Sequence, residues 1–139
     1  MLTKQVFEID GCNFSTLDGF YDEISRVLLP DIPVDGWGRN LDAFNDILRG
    51  GFGTPDEGFV LRWKNSDVSI QQLGAGETVR QLELRLQHCH RANRASVAKQ
   101  LQLARSGQVE TVFDWLVEII KVHGPGGSES ADAVDLVLA

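Results

Sequence analysis

Asp42 and Asp46 stand four residues apart in Gly38-Arg39-Asn40-Leu41-Asp42-Ala43-Phe44-Asn45-Asp46-Ile47-Leu48-Arg49-Gly50-Gly51. On a helix that spacing puts both carboxylates on one face, a turn apart. Paired acids can do general acid–base work, present negative charge to a cationic partner, or simply form a solvated acidic face. The enzyme reading needs a His, Lys or Ser beside the pair and a cleft around it. The neighbouring sequence offers no such partner, no nucleotide motif and no metal motif. Asp42 in a first turn is favoured by the helix dipole. Asp46 is less easily explained, because aspartate is a poor mid-helix residue and like charges at this spacing cost roughly 0.2–0.5 kcal/mol. Arg49 is placed to offset part of that cost.

Few other residues in the chain carry chemistry. His88-Cys89-His90 has the residue types of a metal site. Three consecutive residues on a helix point in different directions, however, and no second ligand pair stands nearby, so no metal or other cofactor is expected. The loop Gly50-Gly51-Phe52-Gly53-Thr54-Pro55-Asp56-Glu57-Gly58 is glycine-rich but lacks the Lys-Ser/Thr of a phosphate-binding loop. Trp37, in Asp31-Ile32-Pro33-Val34-Asp35-Gly36-Trp37, is open to two readings. It packs the loop onto the core, or it anchors an interface.

The elements that must hold these residues follow from periodicity. Asn40 is a good N-cap, Gly50 and Gly51 are good stops, and Leu41, Phe44 and Leu48, with Ala43 and Ile47, form an apolar face. Upstream, Gln5–Ile9 reads as a strand ending at the turn Asp10-Gly11. Ser15 then opens a helix, with Asp18 completing a capping-box pattern and Leu17, Phe20, Tyr21, Ile24, Val27 and Leu28 as its stripe. Pro30 ends it. Downstream, Phe59–Trp63 reads as a strand whose near-continuous apolar run suits a buried parallel sheet. Ser66 is a candidate cap for a short helix. Glu77–Gln87 and Asn93–Ala104 read as helices, and Gln108–Val122 is the strongest helix of all. Gly124-Pro125-Gly126-Gly127 stops it, and residues 133–138 close the chain as a strand. Strands separated by helices imply parallel pairing through crossovers. The expectation is an α/β fold with a small three-stranded parallel sheet flanked by helices, forming one domain over residues 1–139. Strand order stays open.

The chain has 139 residues, enough for one real core. Twenty acidic residues against 13 cationic ones give a net charge of −7. That balance speaks against direct nucleic-acid binding and suits a basic partner or mere solubility. Five of the 13 cations (Arg85, Arg91, Arg94, Lys99 and Arg105) fall in one segment, as a solvated face, a separate contact or internal ion pairs. Two distant cysteines, Cys12 and Cys89, argue against a disulfide framework. No apolar signal region opens the sequence and no run is long enough for a membrane span, so a cytoplasmic protein with no membrane contact is expected.

Leu29-Pro30, a short loop, and then Gly38-Arg39-Asn40-Leu41-Asp42-Ala43-Phe44-Asn45-Asp46 resemble the barstar family, intracellular inhibitors of a secreted bacterial ribonuclease. The resemblance takes in Phe7–Gly11, Phe59–Trp63 and the closing 133–138, about two thirds of the chain. It implies that the helix and its preceding loop plug the active site of a basic extracellular ribonuclease, with carboxylates taking the places of RNA phosphates. Carried over position by position, Asp42 and Asp46 are the two helix acids. Gly38 and Asn40 shape the loop, Trp37 and Asn45 flank the contact, and Glu118 matches a further acid on the last helix. There are departures from the family's pattern. Asn45 stands where the known inhibitor has tryptophan, Gly36 falls near its contact tyrosine, and the segment 75–107 is an extra, helical one. The implied function is an immunity or antitoxin-like inhibitor, not an enzyme. The alternatives are an immunity protein against another toxin nuclease and a regulatory interaction module without inhibition.

Overall fold

The computed structural model describes residues 4–33, 35–50, 54–55 and 57–139. Val34, Gly51, Phe52, Gly53 and Asp56 of the loops read above, and Met1–Thr3, lie outside the described residues.

Among the described residues are three strands: β1 (Val6–Asp10), β2 (Phe59–Lys64) and β3 (Val134–Leu138). They pair in the order β1-β2-β3, both pairs parallel, with Ile9 opposite Trp63 and Leu61 opposite Leu136. The expected parallel three-stranded sheet is therefore present, with β2 central. Its burial departs from the expectation of a strand buried throughout. Phe59, Leu61 and Trp63 are fully buried, while Arg62 between the last two and Lys64 after them are exposed. The alternation means that one face is packed and the other is wet. On the wet face Arg62 lies 3.4 Å from Glu8 of the neighbouring strand.

Six α-helices accompany the sheet among the described residues: α1 (Leu17–Leu28), α2 (Leu41–Leu48), α3 (Ser66–Gln72), α4 (Ala75–His88), α5 (Arg94–Arg105) and α6 (Val112–Val122). The N-cap of α1 is Thr16, not Ser15. The Thr16 hydroxyl accepts from the Gly19 amide at 3.1 Å, a reach that Ser15 is one residue too early to make. The last helix starts at Val112 rather than Gln108, where Thr111 and Asp114 form a reciprocal capping box. Aromatic rings join the layers. Phe20 of α1 packs edge-on against Phe44 of α2 with centroids 5.2 Å apart. The Trp63 ring of β2 touches Phe20, Phe14 and Phe113. Its indole N–H donates to the Ser69 hydroxyl at 3.0 Å, so the buried polar atom is satisfied.

The segment expected to be an extra helical one is the α4–α5 hairpin. It has its own small core of Leu82, Leu101 and Ala104, with Trp115 of α6 packed against both this cluster and the main one. Its first turn also serves its neighbours. The buried Glu77 carboxylate accepts the Leu17 amide at the start of α1 at 2.7 Å. The Thr78 hydroxyl accepts the Val112 amide at the start of α6 at 2.9 Å and donates to Gly74 O. Helix N-termini leave amides unpaired, and here a third helix satisfies them.

Candidate functional site

Helix α2 and the loop 35–40 carry most of the residues singled out by sequence. Asn40 caps the helix as its type foretells, its side-chain oxygen accepting the Ala43 amide at 2.7 Å. Its amide group donates to Gly38 O at 3.2 Å, which draws the loop tight. A Cβ on Gly38 would stand 3.0 Å from the Ala43 Cβ, so the residue is kept small by the helix start. Arg39 adopts a left-handed backbone (φ 50°). Its guanidinium donates to Asp22 at 2.7 Å and lies over the Tyr21 ring, pinning the loop to α1.

Phe44, Ile47 and Leu48 face the core, which turns Asp42 and Asp46 outward. Asp46 is ion-paired with Arg49 at 3.3 Å and is more than half exposed. The offset expected from Arg49 is thus present, but the shorter bond of Arg49 goes elsewhere, to Glu129 at 2.8 Å. Asp42 lines a cleft of about 370 Å³ beside Asn40, with Gln81 and Arg85 of α4 and Trp115 of α6 as its far wall. Arg85 lies over the Trp115 ring, 5.5 Å from its centroid.

Two residues carried over from the resemblance are turned inward. Trp37 is buried, stacked edge-on against Tyr21, and donates its indole N–H to the Ser25 hydroxyl at 2.7 Å. Of the two readings, packing of the loop describes its position, because the ring supports the loop from below. Asn45 is half-buried, and its oxygen lies 2.6 Å from Nε2 of His123. Glu118 is exposed on α6, which packs against α2, but it borders a different recess, next to Lys121 and the turn 125–128. The structure thus groups Gly38, Asn40, Asp42 and Asp46 on one surface, places Trp37 and Asn45 beneath it, and sets Glu118 apart.

Sequence reasoning missed the residues that fix this surface. His123, at the C-terminal end of the last helix, is fully buried. Its Nδ1 lies 2.6 Å from the Asp132 carboxylate and 3.5 Å from that of Glu129. Of the basic cluster, Arg105 pairs with Glu83 across the hairpin at 3.4 Å, and Arg85 stacks on Trp115. Both cysteines are free. No helix among the described residues is long and apolar enough to cross a membrane.

A three-stranded parallel sheet with one helical face, carrying a capped helix with outward acids, defines a small α/β domain. The family model for barstar, described as the barnase inhibitor, matches residues 4–104. That span is well over half of the chain's 139 residues, and the chain belongs to the barstar family. No curated protein matches the chain.

Proposed function

We propose that this chain is a cytoplasmic inhibitor of a secreted basic ribonuclease, acting by occlusion and not as an enzyme. The surface built from Gly38, Asn40, Asp42 and Asp46 enters the nuclease's phosphate-binding site. The observation that carries this reading is the outward placement of Asp42 and Asp46 on a helix held from both sides. Asn40 caps one end of it, and Asn45 ties its middle to His123. A ribonuclease site is cationic because it binds phosphate. Carboxylates on a rigid helix meet it with charge-assisted bonds at little ordering cost. The free cysteines fit a reducing compartment. The whole chain, 1–139, acts as one domain in which the α4–α5 hairpin is an insertion.

A second reading concerns the partner. Trp37 and Asn45 are engaged inside the molecule. The contact surface therefore depends on fewer side chains than the family resemblance implies, and that favours a toxin nuclease other than the one that names the family. Calorimetric titration into a catalytically disabled basic ribonuclease, at low and high salt, tests the proposal. Tight one-to-one binding that weakens with salt and with Asp42→Ala supports it. Absence of binding to a panel of basic ribonucleases overturns it.

A further inference from the structure

The connection from α6 to β3 folds back on the helix it leaves. The Glu129 amide donates to Val122 O at 2.9 Å and the Val134 amide to His123 O at 2.9 Å. Gly127 permits the approach, since a Cβ there would collide with the Val122 and Lys121 carbonyls. The fold-back brings one imidazole nitrogen and two carboxylates together, with the ligand atoms of His123, Glu129 and Asp132 all within 4.8 Å of one another. The imidazole is fully buried, while the two acids remain about a quarter to a third exposed and open to solvent.

We infer that His123 Nδ1, Glu129 and Asp132 form a zinc-class divalent metal site. Imidazole with carboxylate oxygens is a donor set zinc accepts, with a solvent molecule completing four ligands. The far ring nitrogen bears this out, because Nε2 is held by the Asn45 side-chain oxygen at 2.6 Å. A hydrogen bond at the non-ligating nitrogen is what orients metal-binding histidines. Tetrahedral zinc at bond lengths near 2.1 Å separates its ligand atoms by about 3.4 Å. The Glu129 oxygen already sits 3.5 Å from Nδ1, and the Asp132 oxygen must withdraw from 2.6 Å, a small side-chain rotation. Arg49 bonds the other oxygen of Glu129, leaving the inner one for the ion. The bound ion would join α6, the lead-in to β3 and, through Asn45, helix α2. The site stands whether or not the chain inhibits a nuclease.

The test is titration of the chelator-treated full chain with zinc alone, followed by calorimetry and by the melting temperature. A second measurement uses the visible absorption of bound cobalt to report a tetrahedral site. One-to-one binding at micromolar zinc, with a raised melting temperature, is expected. Glu129→Gln and Asp132→Asn keep side-chain shape and remove the anionic ligands. Each should weaken binding at least tenfold while the apo protein stays folded. A His88→Ala/His90→Ala variant should bind as the parent does. The inference is overturned by no binding below millimolar zinc, by binding indifferent to both carboxamide variants, or by binding lost in the His88/His90 variant.

Discussion

The Asn45 side-chain oxygen lies 2.6 Å from Nε2 of His123, across 78 residues of sequence. The contact joins the helix with the outward acids to the end of the last helix. Asn45→Leu conserves size and removes the oxygen, leaving a buried ring nitrogen without its partner. The expected cost is about 1–3 kcal/mol of stability, read by urea denaturation. An unchanged midpoint would show that the contact contributes nothing and that Asn45 is free for a partner.

Asp46→Ala should behave in the opposite way. It removes an exposed acid and one like-charge neighbour, so stability should change by less than about 0.5 kcal/mol in either direction. Binding to a cognate nuclease should fall by about 2–5 kcal/mol, part of which is the partner's unpaired cation. Parallel losses in melting temperature and affinity would mark Asp46 as a structural residue.

Trp37 discriminates between support and contact. Trp37→Phe keeps much of the apolar ring but deprives the Ser25 hydroxyl of the indole N–H. We expect about 1–3 kcal/mol of destabilisation and a weakened complex only through the loosened loop. Restoring the loop by cocrystallisation or high ligand concentration should restore full occupancy. A variant as stable as the parent yet unable to bind would make the residue an interface anchor.

Acid stability should depend on Glu77 and Glu23. Burial pushes each carboxyl up, but the bonds it accepts outweigh burial and hold it below the usual carboxylate range. For Glu77 these come from Arg80, the Leu17 amide and Gln81. For Glu23 they come from Arg26, the Asp10 amide and Asn13. A depressed folded-state value stabilises the fold above the unfolded carboxyl value near 4.3. That contribution is lost as pH falls through the lower, folded value. The melting temperature should therefore be flat with respect to these groups from pH 7 to about 5 and drop below about pH 4. Glu77→Gln should lower it at neutral pH and flatten the acid limb. An unaltered acid limb in that variant would remove Glu77 from the account.

Local signals in the sequence were enough for the helix ends at Asn40 and Gly50 and for the parallel strands spaced by helices. Each depends on residues a few positions apart. The inward turn of Asn45 was hidden, because its partner His123 is far along the chain and histidine at a helix end has an ordinary local explanation. Glu77 likewise reads as a first-turn acid on its own helix, and only the packed structure reveals that it caps another. The wet face of the sheet was visible in Arg62 and Lys64, but the apolar neighbours of Arg62 masked the alternation.

Glu77 and Thr78 lend their oxygens to the first amides of α1 and α6. Excising the hairpin would therefore strand two amides in helices that remain. The hairpin and the helices it serves are bound to change together: any lineage that shortens α4 must supply new acceptors before Leu17 and Val112. Positions 77 and 78 should accordingly covary with the segments 15–17 and 110–112 among relatives that keep the hairpin.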